Sequence, residues 1–281
     1  MSAAPADRYA VIGNPISHSK SPAIHAAFAQ ATGQSMTYTA LEGPLGQFAA
    51  AVDAFRQQGG RGLNVTIPFK LDACAYATDL AESARAAGAA NALKFDGDRC
   101  YAENFDGVGL VRDITHNLGQ AIQGRRVLLL GAGGASRGAI LPLLAQGPDR
   151  LLVANRTADK ASALVCEFID RGASASVLAG GGFDALGQER FDVVINATAA
   201  SLSNLALPLP PTVWNTDGLA YDMVYGKGLT PFLRTAQQAG VQRLADGVGM
   251  LVEQAAEAFV WWRGVRPDTR PVINQLTVPL N

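Results

Sequence analysis

The sequence has no excess of either charge: 23 Lys and Arg stand against 24 Asp and Glu, a formal net charge of −1. A general electrostatic attraction to nucleic acid or to an anionic membrane is therefore excluded, and any anion site must be built locally. Cysteine is scarce. Cys74, Cys100 and Cys166 are odd in number, widely spaced and without a Cys-x-x-Cys pair, so they offer no disulfide framework and suit a reducing compartment. His18, His25 and His116 make no metal-ligand pattern with one another or with the cysteines, and no metal is expected. No apolar run approaches the roughly 20 residues of a membrane span. Met1 to Arg8 shows no basic region followed by an apolar core, so no signal peptide is expected and the expected location is cytoplasmic.

What the chain does have is core-forming material. Of its 281 residues 48% are hydrophobic and 17% charged. At this length a single core stops growing, so two domains are expected.

The most informative stretch is Val127-Leu128-Leu129-Leu130-Gly131-Ala132-Gly133-Gly134-Ala135-Ser136-Arg137-Gly138. Four apolar residues in a row read as a strand buried on both faces of a parallel sheet. The glycines let the backbone turn tightly and approach a ligand. Ala135 to Ala145 then reads as a helix, whose free N–H groups and positive dipole end face whatever lies over Gly133. Strand, turn and helix make the first βα unit of a dinucleotide-binding domain, although Ser136 stands where the strict fingerprint has its third glycine. A second apolar run, Leu151 to Ala154, ends at Asn155-Arg156-Thr157. Roughly 20 residues after the glycine turn, NAD-binding domains offer an acidic side chain to the ribose 2′-OH, whereas an arginine accommodates a 2′-phosphate. Here no Asp or Glu is present, and Arg156 supplies a guanidinium that can fork onto phosphate beside the Thr157 hydroxyl. NADP is expected over NAD.

The front half reads as an α/β segment of its own. Tyr9 to Gly13 is a short strand, followed by a polar loop and a helix opened by Ser21-Pro22 and closed by Gly33. Leu45, Phe48, Val52 and Phe55 form a second helical stripe, stopped by Gly59-Gly60. Leu63 to Ile67 reads as a strand, with Pro68 opening a helix that carries Lys70 in its first turn. Asn91 to Phe95 and Arg99 to Asn104 flank Asp96-Gly97, a hairpin signal. A helix over Val108 to Leu118 leads into the second half. There, strands are expected at 176–178, 191–196 and 220–224, a glycine loop at 180–182, and helices around 164–169, after Thr230-Pro231 and over 250–262. This strand–helix alternation is what a right-handed parallel sheet requires.

Polar residues in the front half sit where core is expected. Asn64 and Thr66 alternate with Leu63, Val65 and Ile67, which puts both on one side of a strand. Lys70, Asn91 and Asp106 follow at neighbouring strand ends. Taken singly, each reads as a turn cap or a surface residue. As a set they mark a site, because strand ends are where α/β proteins bind ligands.

These motifs resemble the shikimate dehydrogenase family. The resemblance is carried by Gly13 to Pro22 (Gly-x-Pro-x-x-His-Ser-x-Ser-Pro), Asn64 to Lys70 (Asn-Val-Thr-x-Pro-x-Lys), the glycine turn Gly131 to Gly138, Asn155-Arg156-Thr157, Asp222 to Tyr225, and Asp246 to Ala256. It implies an α/β fold of two domains. Residues 1–105 with 247–281 would form a substrate domain with a mainly parallel sheet, and 106–246 a Rossmann-like, doubly wound NADP domain, with the C-terminal helix packing back on the first. It implies reversible NADPH-dependent reduction of 3-dehydroshikimate to shikimate, with Lys70 and Asp106 as the acid–base pair. Ser17 and Ser19 would bind the substrate carboxylate with Tyr225 nearby, and Asn64, Thr66, Asn91, Asp106 and Gln254 would read its ring hydroxyls. Gly131, Gly133, Gly134 and Ala135 would cradle the pyrophosphate, Asn155, Arg156 and Thr157 the 2′-phosphate with Arg137 adding a cation, and Asn196 to Thr198, Met223 and Gly247 the nicotinamide end. A monomer or homodimer is implied.

Two departures stand out: Phe105 where the family usually has Thr or Ser, and Ala199-Ala200 where small hydroxyl residues commonly follow Thr198. The alternative is a paralogue that also accepts quinate, often with NAD; Arg156 and the paired Ser17 and Ser19 argue against it. A catalytically silent sensor of nucleotide or shikimate is disfavoured by the retention of Lys70 and Asp106. A folate-type or glutamyl-tRNA-linked dehydrogenase would share the nucleotide half but has no use for the Ser17/Ser19 loop.

Overall fold

Ala10, Val11 and Ile12, at the centre of the first expected strand, are almost wholly withdrawn from solvent. The computed structural model describes residues 6–280, and the chain divides into two units. The first is the chain through Gly109 together with Val252–Val272; the second is Leu110–Leu251 with the segment from Ile273. No helix among the described residues is long and apolar enough to cross a membrane.

In the first unit the elements follow as β1 (Asp7–Gly13), α1 (Ser21–Thr32), β2 (Met36–Glu42), α2 (Phe48–Gln57), β3 (Gly60–Val65), α3 (Lys70–Tyr76), β4 (Asp79–Leu80), α4 (Glu82–Ala87), β5 (Ala92–Asp96), β6 (Arg99–Glu103) and the start of α5 (Asp106–Arg112). The sheet order is β2-β1-β3-β5-β6-β4. β1 is parallel to β2 and β3, β4 is parallel to β6, and β5 runs antiparallel to both neighbours. The core on one side joins Ile12, Leu63, Val65 and Leu93 to Phe48, Val52 and Phe55 of α2.

Two expectations fail here for local reasons. Leu45 is 67% exposed because α2 starts only at Phe48, after a turn closed by Gln47 N–H donating to Pro44 O. β3 ends at Val65 and does not reach Ile67, which is 69% exposed. The chain turns over 66–69, where Phe69 N–H donates to Thr66 O, and α3 opens at Lys70 instead of Pro68. Phe69, not Ile67, enters the core, 5.4 Å from the ring of Phe48.

The second unit continues through a single π-helical turn (Asp113–Asn117) to β7 (Arg126–Leu130), α6 (Gly134–Leu144), β8 (Arg150–Ala154), α7 (Ala158–Asp170), β9 (Leu178–Gly181), β10 (Phe191–Asn196), β11 (Trp214–Asp222), α8 (Pro231–Gln238), β12 (Arg243–Asp246) and the start of α9 (Val248–Arg263); α10 (Arg270–Leu276) follows. Its sheet is parallel throughout, in the order β12-β11-β10-β7-β8-β9. Numbered from β7 this is the doubly wound order 3-2-1-4-5-6, with its switch point between β7 and β10. Gly180, expected in a loop, lies inside β9: a Cβ there would stand 2.7 Å from Ala161 O, so α7 can lie on the strand only over a glycine. The helix expected through Leu118 changes pitch at Asp113. The π turn carries the buried Asp113 carboxylate to the Tyr221 hydroxyl, which donates to it at 2.8 Å.

From Val252 onward α9 belongs to the first unit. Trp262 Nε1 donates to Leu93 O at 3.0 Å, and its ring stacks on Tyr9. Phe259 packs edge-on to Phe28 of α1. His25 is sealed among these rings, stacked on Tyr38 at 4.1 Å, with Nε2 3.1 Å from Asn64 Oδ1. Burial pushes its pKa down to about 3, against the opposing pull of the Asn64 hydrogen bond.

This sets a pH dependence. An unfolded chain protonates His25 below its ordinary pKa of about 6.5, while the folded chain resists until about 3, so stability is lost as pH falls across that window. Between pH 7 and pH 5 the linkage amounts to about 2 kcal/mol. Urea unfolding at the two pH values should show a fall of that order for the native protein and a much smaller one for His25→Phe. Equal falls would show that His25 is not the buried neutral group.

Candidate active site

One end of the first sheet collects the polar residues. β1 and β3 finish there, β5 starts there and β6 finishes there. Asn91 immediately precedes β5, Lys70 opens α3 and Asp106 opens α5. Lys70 Nζ lies 2.5 Å from Asp106 Oδ2, the side chains being 30% and 18% exposed. This pair is within reach of a ligand without being freely solvated. The other oxygen, Oδ1, accepts from Asn91 Nδ2 at 2.8 Å. The same Asn91 amide donates to Gln254 Oε1 at 3.2 Å, and its oxygen accepts Phe105 N–H at 2.8 Å. Asn104 Oδ1 accepts Asp106 N–H at 3.1 Å. The carboxylate is thus aimed by neighbours that are themselves held.

Asn64 joins this group through Nδ2, which donates to Asn91 O at 3.3 Å. Thr66 stands in the turn beyond β3, its methyl group 2.6 Å from where a Cβ on Gly13 would be. Ser17 is exposed and Ser19 half-buried on the loop after β1, where Ser19 Oγ accepts Ser21 N–H at 3.3 Å. Phe105 turns its ring onto Trp261, 5.7 Å away and edge-on, within the apolar cluster of Tyr9 and Trp262. Its ring, partly buried, packs against that cluster, and its backbone N–H joins the polar group through Asn91 Oδ1.

The second unit gathers the other set at its switch point. Gly131 has φ +112°, a conformation L side chains rarely adopt, and its N–H donates to Ala154 O. Gly133 caps α6 without a side chain, and open space surrounds the Cβ positions of Gly133 and Gly134. The first-turn N–H groups, Ala135 among them, are therefore open to an anion. Beside them runs the loop after β10, with Thr198 Cγ2 3.1 Å from the Cβ position of Gly131. At the end of β8 Arg156 and Thr157 are exposed, and Asn155 Nδ2 donates to Thr157 O at 3.0 Å. No acidic side chain stands in this tripeptide, so its donors fit a phosphate and not a free ribose diol. Arg137 is directed elsewhere: both its Nη atoms donate to the Glu167 carboxylate, at 2.6 and 2.9 Å. Met223 and Gly247 touch, since a Cβ on Gly247 would lie 2.2 Å from Met223 O. Tyr225, exposed after β11, belongs to this unit and not to the one that holds Ser17 and Ser19.

Asn196 is fully buried and its amide is already used four ways. Nδ2 donates to Ser201 Oγ and Asp222 Oδ1, and Oδ1 accepts from Thr198 N–H and Oγ1–H. It shapes the loop that presents Thr198. The hub is Asp222, which also accepts from Ser201 Oγ, Thr230 Oγ1 and Val224 N–H. Burial raises its pKa, and these bonds pull the other way. No local spacing in the sequence marks Asp222 as such a hub. Beyond Ala199-Ala200, the Ser201 hydroxyl joins this cluster, accepting from Asn196 and donating to Asp222. Tyr38 and His25, both on Asn64 Oδ1, were also missed. Among the described residues no group of three or more His, Cys, Asp and Glu could hold a metal ion.

Three family models match the chain: the shikimate dehydrogenase substrate binding domain over residues 11–93, shikimate / quinate 5-dehydrogenase over 113–206, and the shikimate 5′-dehydrogenase C-terminal domain over 247–277. The chain is 56% identical over 274 residues to a shikimate dehydrogenase (NADP(+)) of Dechloromonas aromatica, covering 98% of each chain. Among solved structures it is similar to an Ael1 enzyme from Pseudomonas putida, with a TM-score of 0.93, 57% identity and coverage of 98% of this chain and 100% of that one. It is also similar to shikimate 5-dehydrogenase from Thermus thermophilus in complex with NADP(H) and shikimate, with a TM-score of 0.82, 32% identity and coverage of 95% and 97%.

Proposed function

The chain belongs to the shikimate dehydrogenase family, and we propose that it catalyses the reversible NADPH-dependent reduction of 3-dehydroshikimate to shikimate. The observation that carries this reading is the Lys70–Asp106 pair at 2.5 Å, held by Asn91 beside Gln254 and Asn64. In this reading the first unit takes the substrate and the second the dinucleotide. NADPH, when bound, supplies the hydride. Reduction places negative charge on the carbonyl oxygen, and the Lys70 ammonium supplies its proton; in the alcohol direction Lys70 takes the proton back. Asp106 orients the ammonium and accepts a ring hydroxyl. Asn64, Thr66, Asn91 and Gln254 read the remaining hydroxyls, and Ser17 and Ser19 donate to the carboxylate. A site that pairs hydroxyls in this way discriminates sharply, because an analogue lacking one leaves a buried polar group unpaired.

In the second unit, Gly131, Gly133, Gly134 and Ala135 cradle the pyrophosphate and Asn155, Arg156 and Thr157 hold the 2′-phosphate. Thr198, Met223 and Gly247 face the nicotinamide, with Asn196 supporting the loop. The protein acts in the cytoplasm.

The direct assay follows the reduced nicotinamide band with NADP⁺ or NAD⁺ and shikimate or quinate. NADP⁺ with shikimate should be the preferred pair; a preference for NAD⁺ with quinate would overturn the reading. Lys70→Ala should lower kcat at least a hundredfold with a smaller change in KM. A variant within threefold of the native kcat would remove Lys70 from the proton-transfer role. Arg156→Asp should raise KM for NADP⁺ far more than KM for NAD⁺, and equal losses would contradict the 2′-phosphate assignment.

A further inference from the structure

Asn64 is buried, yet its amide can face a ligand in two ways, oxygen outward or nitrogen outward. The surrounding bonds decide between them. Asn91 O, which already accepts Val65 N–H at 2.8 Å, can only accept, and it lies 3.3 Å from one amide atom of Asn64. That atom must be the nitrogen. The oxygen then faces Tyr38 Oη at 2.6 Å and His25 Nε2 at 3.1 Å, and both must donate to it. A carbonyl oxygen has two lone pairs, so both are occupied. One N–H is taken by Asn91 O, and the second is unassigned.

The donors are themselves fixed. The His25 ring is fully buried, stacked on Tyr38 and packed by Phe28, Phe259 and Trp262. Its Nδ1 has no partner, which fits a bare nitrogen lone pair and places the ring proton on Nε2.

We propose that Tyr38 and His25 are positioning residues that lock the Asn64 amide with its oxygen inward, so that Asn64 meets the substrate ring only as an N–H donor and selects a ring oxygen able to accept there. The proposal rests on the assignment of shikimate as substrate. Inverting the amide would set its oxygen against Asn91 O, which can only accept, and would move the His25 ring proton onto the buried Nδ1, where no acceptor meets it, so the alternative polarity is disfavoured.

Four variants assayed with shikimate and NADP⁺, and the ring ¹⁵N spectrum of His25 in the native protein at pH 7, test it. Asn64→Asp keeps the inward oxygen and replaces the outward N–H₂ by a second oxygen. KM for shikimate should rise at least thirtyfold, with kcat changed less. If Asn64 instead accepted from the ring, the carboxylate would serve equally well, and a KM within threefold of native would overturn the proposal. Tyr38→Phe keeps the stacked ring and removes one clamp. KM for shikimate should rise fivefold or more while KM for NADP⁺ and the unfolding midpoint hold; a shifted midpoint with unchanged KM would assign Tyr38 a merely structural role. His25→Gln, which retains an N–H donor, should stay closer to native KM than His25→Leu, and the reverse order would contradict the clamp. The ¹⁵N spectrum should show Nε2 protonated and Nδ1 bare, and the opposite tautomer overturns the lock. Because that spectrum needs no substrate, failure of the native protein to oxidise shikimate would sink the functional reading alone, leaving the lock to stand or fall on the tautomer.

Discussion

A carboxylate that must meet an ammonium at one oxygen and an amide at the other can sit in few orientations. Asp106 is in that position, with Lys70 on Oδ2 and Asn91 on Oδ1. Most of the first unit serves this constraint. The antiparallel β5–β6 hairpin returns the chain so that Asn91, before β5, and Asp106, after β6, come out side by side. The turn after β3 replaces a straight strand so that Lys70 opens a helix beside them. From α9, Gln254 closes the far side of Asn91. Side chains from three strand ends and one distant helix are thereby fixed before any ligand arrives, the condition under which positioned groups are effective in catalysis.

The second unit answers a different problem, that of holding an anion on a protein with a net charge of −1. In the proposed reading it does so with backbone N–H groups left open by Gly133 and Gly134 and with Arg156 just beyond β8. The neighbouring loop is not left loose. Asp222 ties Asn196, Ser201 and Thr230 into one buried cluster, and Thr198 is held to it through Asn196 Oδ1. Buried polar networks of this kind are favourable only when every member is satisfied, and here the carboxylate oxygens each have partners.

What was legible in the sequence follows from how each signal is written. β7 and β8 are buried on both faces and appear as unbroken apolar runs, and β10 nearly so around Asp192, so their place in a parallel sheet could be read directly. Lys70, Asn91 and Asp106 were legible as polar residues at strand ends. Ile67 and Leu45 misled because hydrophobicity marks core only if the backbone continues its period; turns at 66–69 and 44–47 broke it. β2, an edge strand with no buried residue, and the short β4 and β12 left no adequate pattern. Partners such as Tyr38 for Asn64 and Asp222 for Ser201 are joined by hydrogen bonds across 26 and 21 positions, and no local spacing announces such bonds.

In the proposed mechanism Lys70 and Asp106 act as one unit. A double-mutant cycle in kcat with shikimate and NADP⁺, using Lys70→Ala, Asp106→Ala and the two combined, tests it most directly. If they act together, the double variant should be no slower than about threefold below the worse single variant. Losses that multiply, each substitution exacting its full effect regardless of the other, would show two independent residues and contradict the account.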